Sequence, residues 1–282
     1  MKLSTAFYHA WLCHGIDGGV KLLRDTGYDA IDMSYYQKAC PAFLGEDYRE
    51  KAYELKEALQ KYGMTCNQAH APTDRFFTLP QDDSCPEYVR LKRSIESAAI
   101  LGIPHIVAEG AEVGKPHASY KNLEHNCAFY RRLEPLCEKH GIVVAIENLK
   151  GSFTYPDLIN EALHRLNSPW FKTVVDVGHS WVRAELQPGD FIRQLDRGSV
   201  CGLHIQDTHG IRRGLDEHLL PWMAEIDFED LMLALKETGY EGDLTLETGG
   251  FLKPYAERGL LEPALRFSAA VGRKLISLFE SE

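Results

Sequence analysis

Acidic and imidazole side chains close a series of short apolar runs in the second half of the chain. VVAIEN ends at Glu147, TVVDVGH carries Asp176 with His179 three residues on, GLHIQD carries His204 and Asp207, and LTLETGG ends at Glu247. A charge at the end of an apolar strand sits at the rim of a low-dielectric core, where it is costly unless paired or bound to a metal. One such residue is unremarkable, but four successive runs ending this way point to a common site. Three carboxylates and one imidazole converging on one mouth make a mixed oxygen and nitrogen donor set. Such a set suits Mn, Mg, Co or Zn and leaves room for water or substrate oxygens. The bland alternative is a network of rim salt bridges to Lys150, Arg183, Arg212 or Arg213.

The elements that must position these residues alternate along the whole chain. Strands are expected at Leu3–Phe7, Ala30–Met33, Thr65–His70, His105–Ala108, Val143–Glu147, Thr173–Asp176, Val200–Ile205 and Leu244–Glu247. Amphipathic helical spacing fills Glu50–Tyr62, Glu87–Leu101, Lys121–His140, Pro156–Leu166 and Phe228–Thr238. RDTGYDAI, QKYGMTC, AILGIPHI, EKHGIVV and KETGYEGDL each place Gly where a helix ends before a strand, the position that favours a left-handed residue. Eight βα units predict an α/β fold, a single parallel (β/α)8 TIM barrel filling residues 1–282 as one domain. The longer connections, Tyr35–Asp47, Ala71–Pro86, Gly110–Ala118 and Asp207–Ile226, all follow strands. They would therefore open on the C-terminal face, where barrel active sites lie.

The formal charge of −10 opposes extended binding to a phosphate backbone, so no nucleic-acid partner is expected. No GxGxxG or GxxxxGK[ST] cradle occurs. No apolar run has membrane-spanning length, and MKLSTAFYHAWLCHG reads as a first strand rather than a leader. The 7 cysteines lack a CxxC pair and read as reduced thiols of a cytoplasmic protein.

Glu on strand 5, D-x-x-H after strand 6, H-x-x-D on strand 7, D-x-H in the next loop and Glu on strand 8 resemble the xylose-isomerase-like TIM-barrel superfamily. HIQDTHGIRRGLDEHLLP and IDFEDLMLALKETGYEGDLTLE carry the most specific part of the resemblance, which spans essentially the whole chain. It implies that Glu147, Asp176, His204 and Glu247 hold one divalent metal. It also implies that Glu147 and Glu247 move a proton on and off carbon through an enediolate, as in sugar and sugar-phosphate isomerases and epimerases. His179 would meet a substrate hydroxyl, and Arg212 or Arg213 would hold a terminal group. His70 and Glu109, at the ends of strands 3 and 4, are further substrate-binding candidates, with His9, Trp11 and His14 as pocket lining after strand 1.

The superfamily also contains AP endonucleases with three metals. His70, His179, Asp216 and His218 match that cluster, but Glu109 stands where those enzymes carry histidine. Relatives often have a Pro-Gly-x-Gly loop before Ile-Asp; here PWMAEID puts Trp222 and Ala224 at the glycines, making Trp222 a candidate substrate contact. The expected activity is metal-dependent isomerisation or epimerisation of a small sugar, sugar phosphate or related polyhydroxylated carbonyl compound. A keto-inositol-type dehydratase and an endonuclease IV-like phosphodiesterase are the alternatives. Self-association into a homo-oligomer is left open.

Overall fold

The computed structural model describes residues 1–36, 38–73, 84–110, 119–149, 151–210 and 214–281. Eight parallel strands alternate with helices: β1 (Leu3–Ala6), α1 (Tyr8–Thr26), β2 (Ala30–Ser34), α2 (Ala39–Phe43), α3 (Tyr48–Lys61), β3 (Thr65–His70), α4 (Pro86–Leu101), β4 (His105–Ala108), α5 (Ser119–His140) and β5 (Val143–Glu147) come first. They are followed by α6 (Pro156–Leu166), β6 (Phe171–Asp176), α7 (Val177–Arg183), α8 (Pro188–Arg193), β7 (Val200–His204), α9 (Phe228–Thr238), β8 (Leu244–Leu246), α10 (Gly249–Ala256) and α11 (Leu261–Glu280). The strand order β7-β6-β5-β4-β3-β2-β1-β8 runs in sequence around the sheet. A parallel bridge from Ile205 to Leu246 brings β7 against β8 and completes the (β/α)8 barrel. There, the Ile205 N–H donates to the Thr245 carbonyl at 2.8 Å and the Glu247 N–H to the Ile205 carbonyl at 2.9 Å.

The helix ends follow the expected glycine rule: Gly27, Gly102 and Gly239 are left-handed and cap α1, α4 and α9. The apolar face of each helix packs outside the sheet, as Leu158, Ile159, Ala162 and Leu166 do on α6, and joins one continuous core. The first strand ends earlier than expected, at Ala6, and Phe7 is already the cap position of α1. No helix among the described residues is long and apolar enough to cross a membrane.

Side chains of period two fill the barrel. Val107, Ala145 and Val174 form a small interior cluster, and a Cβ on Gly202 would meet His105, Gln68 and Val174. Two residues further along the same strands, on the same inward face, stand Glu109, Glu147, Asp176 and His204. His70 follows Gln68 in this way, and Glu247 follows Thr245, whose hydroxyl bonds Ser4 at 2.8 Å. The alternation that packs the interior therefore delivers the polar layer to the C-terminal mouth.

Candidate metal centre and active site

Glu147, Asp176, His204 and Glu247 meet in one cluster, with one ligand atom from each lying within 4.8 Å of all the others. His204 Nδ1 lies 2.9 Å from Glu147 Oε1 and 3.3 Å from Glu247 Oε2. All but Glu247 are buried, and no lysine or arginine pairs with the four among the described residues. Three carboxylates without such a partner, facing one imidazole, fit a divalent cation by charge and by donor type.

Two further groups flank the cluster. His70, Glu109 and Glu147 form one, and His179, Asp216 and His218 the other, each with potential ligand atoms within 4.8 Å. His70 gives its Nδ1 to the Ala71 carbonyl at 2.7 Å, which leaves Nε2 facing Glu147 Oε2 at 3.5 Å. His179 Nε2 lies 2.8 Å from Asp216 Oδ2, and its Nδ1 lies 3.6 Å from Glu147 Oε1. His218 holds the Glu247 carbonyl through Nδ1 at 2.9 Å, with Nε2 3.5 Å from Asp216.

Local structure fixes these orientations. Asp176 caps α7 by accepting the His179 N–H at 2.8 Å, which ties a ligand candidate on β6 to the imidazole one helical turn on. Asn148 accepts the Asp176 N–H at 2.7 Å and returns its amide to the Asp176 carbonyl at 2.9 Å. Gln206, fully buried, donates to Asp176 at 3.1 Å and to Asp216 at 2.8 Å, while its carbonyl takes the His218 N–H at 2.9 Å. A Cβ at position 178 would lie 2.4 Å from Gln206, so the glycine of D-V-G-H is what admits this clamp.

The electrostatics separate the two glutamates. Burial alone would raise Glu147, but hydrogen bonds from His204 and His70, with the charges of His204 and His179, hold it well below the carboxylate range. Glu247 is raised, by burial first and then by the Asp176 and Glu147 charges, against the pull of His204 and His218. Burial disfavours charge on the imidazoles, yet the surrounding carboxylates overcome it. His70 and His179 rise to about 9, His218 to about 10, and His204 goes well above its ordinary value.

A cavity of about 770 Å³ opens over the cluster, lined among others by Tyr8, His9, Tyr36, His70, Glu109 and Glu147. A second cavity, of about 450 Å³, lies at the opposite end of the barrel among Gln68, His105, Gly202 and Tyr240, far from this chemistry. The structure brings Glu147, Asp176, His204, Glu247, His70, Glu109, His179, Asp216 and His218 together. It does not bring in Trp222, which is 40% exposed, packs on Phe228, bonds Glu229 at 3.3 Å and is not among the cavity-lining residues. Its backbone is left-handed, with φ 66°. Of the first-helix candidates only His9 reaches the cavity, since Trp11 packs on Phe43 and His14 is exposed. Arg212, with Arg213 and Lys150, lies outside the described residues. Asp207 instead anchors a loop, accepting N–H groups of Thr208, Ala224, Glu225 and Ile226 at 2.7–3.2 Å. Gln206 and Asn148 were not anticipated; the available signal was a buried amide beside each ligand-bearing strand end.

Fold and cluster together define a parallel barrel with a carboxylate–imidazole centre at its C-terminal mouth. The profile of the family described as xylose isomerase-like TIM barrel matches residues 20–270, and the chain belongs to that family. An uncharacterised protein of Sinorhizobium fredii, y4fM, is 26% identical over 168 residues, or 56% of this chain and 51% of that one. The chain thus spans about half the length of the curated relatives it matches. The solved IolI protein with a bound zinc atom superposes with a TM-score of 0.80 over 100% of both chains at 19% identity. The 3-keto-D-glucoside 4-epimerase YcjR of E. coli gives 0.76 over 97% of this chain and 99% of that one at 17% identity. At such identities the likeness shows the fold.

Proposed function

We propose that the chain is a divalent-metal-dependent isomerase or epimerase of a small polyhydroxylated carbonyl compound, working as one barrel domain. The observation that carries this reading is the pair Glu147 and Glu247, set by β5 and β8 at 2.9 and 3.3 Å from the same His204 nitrogen. Glu147, Asp176, His204 and Glu247 would hold the ion, which supplies Lewis-acid stabilisation of the charge that develops when a C–H beside a carbonyl is lost. Glu147 and Glu247, carried by different strands to opposite sides of His204, would take that proton and return it. Tyr8, Tyr36 and His9 in the cavity wall offer ring faces for a sugar and limit water at the reacting carbon. The 3-keto-D-glucoside 4-epimerase YcjR, similar in fold, supports a substrate of this kind.

The test is solvent-deuterium incorporation into ketoses and keto-inositols by metal-loaded protein, read by mass spectrometry. Glu147→Gln should lower exchange by about 10²- to 10⁴-fold, the usual worth of a general base. Near-normal exchange in that variant would count against the assignment. Exchange accompanied by loss of water from the product would mark the dehydratase instead.

A second reading has its own observation. The groups His179–Asp216–His218 and His70–Glu109–Glu147 adjoin the first cluster, an arrangement open to more than one ion and to phosphodiester hydrolysis. Metal analysis separates the two. About one equivalent with carbon-bound deuterium supports the isomerase, whereas two or three zinc ions without exchange support the hydrolase.

A further inference from the structure

Beside the cluster, the large cavity is also lined by Thr248, Gly249, Gly250 and Lys253, by His9 of α1, and by Lys38 just before α2. Gly249, Gly250 and Lys253 belong to α10, the short helix that follows β8. Thr248 precedes α10 but caps nothing. It is 1% exposed and its hydroxyl has no hydrogen-bond partner among the described residues, an expensive state for a buried polar group unless a ligand completes it. The N–H groups of Gly249 and Gly250 begin α10 and have no intrahelical acceptor, because their acceptor positions fall in β8. Around Gly249 a Cβ would meet nothing within 4 Å, so this backbone stands open. At Gly250 a Cβ would sit 1.9 Å from the Glu217 carbonyl, so only glycine lets the helix start here.

Charge points the same way. Lys38 and Lys253 form no ion pair among the described residues, unlike many of the surface cations. Glu257, one turn after Lys253, also lines the cavity, so the two lysines face one carboxylate besides those of the ion cluster. A helix start with free N–H groups, an unpartnered hydroxyl and unpaired ammonium groups together make an anion site, and short helices after the last barrel strands often serve that purpose.

We infer that this end of the cavity binds an anionic group, a phosphate or a carboxylate, at the end of the substrate remote from its reacting carbonyl. The inference rests on the isomerase reading above and narrows its substrate to acidic sugars or sugar phosphates. The Thr248 hydroxyl and the Gly249 and Gly250 N–H groups would donate to the anion, and Lys253 and Lys38 would supply counter-charge.

The experiment compares kcat/KM of metal-loaded enzyme for deuterium exchange on a ketohexose, its 6-phosphate and the analogue with a terminal carboxylate. An anionic substrate should be preferred by about 30-fold or more, and whichever anion gives the gain names the class. Lys253→Gln and Thr248→Val should each reduce that preference by about tenfold. Thr248→Val should not lower the thermal midpoint, since the hydroxyl has no partner to lose. Exchange on ketoses with no gain from either anion would overturn the anion site and leave the isomerase standing. If no ketose exchanges at all, the isomerase reading fails, and inorganic phosphate followed by ³¹P NMR decides the site separately. Phosphate binding weakened in both variants supports the site; binding that is absent, or equal in wild type and variants, overturns it.

Discussion

If the four-residue cluster holds a divalent ion, that ion is a measurable part of the protein's stability. Binding to the folded state alone stabilises by RT ln(1 + [L]/Kd), about 2.7 kcal/mol when the free ion is at a hundred times Kd. Unfolding entropy scales with chain length, and 282 residues give about 0.6 kcal/mol per kelvin near the midpoint. The two figures predict that chelation lowers Tm by about 4–5 °C. Glu247→Gln is the informative variant. The Glu247 carboxylate is near His204 and His218, at 3.3 and 3.9 Å, and ties no other element among the described residues, so its loss should change the ion and not the fold. A hundredfold loss of affinity leaves about 0.4 kcal/mol at the same ion concentration, or less than about 1 °C. Differential scanning calorimetry across an ion titration, with and without chelator, reads both numbers. A wild-type Tm indifferent to chelator, or an ion-dependent shift as large in Glu247→Gln as in wild type, would refute the assignment.

Gln206→Leu removes the amide that holds Asp176 and Asp216 at 3.1 and 2.8 Å, and metal affinity should fall about 10- to 100-fold in a competition titration. Unchanged affinity would make the clamp irrelevant to the ion. His105, buried beside Gln68 at 3.2 Å, is lowered to about 4, by burial first and then by the charges of His204 and Lys172. The unfolded chain takes up this proton near pH 6.5 and the folded one does not, so stability is full above that pH and falls by up to about 1.4 kcal/mol per unit toward pH 4. Urea titrations of chelated protein should show that slope flattened in His105→Gln, and an unaltered slope would assign it to other groups.

How far the site was legible follows from which residues the strands carry. A strand has only two faces, so an apolar run that ends in a charge reveals both its inward side and its rim. That is why Glu147, Asp176, His204 and Glu247 could be read from VVAIEN, TVVDVGH, GLHIQD and LTLETGG, and why their strands matched expectation to within two residues. Loops have no such rule. Trp222 and Asp207 sit in the same long connection as Asp216 and His218, and nothing in residue type says that Asp207 folds under Ala224–Ile226 while Asp216 reaches His179. Those outcomes depend on the left-handed turns at His218 and Trp222, both non-glycine residues whose conformation is imposed by what the loop packs against. The supporting amides escaped notice for a related reason: Gln206 and Asn148 matter through their hydrogen bonds across strands, which sequence spacing does not encode. Thr248 is the remaining case. Its place after Glu247 was visible, but its lack of a partner among the described residues is a property of the folded neighbourhood, and that lack is what singles it out as a donor for the proposed anion.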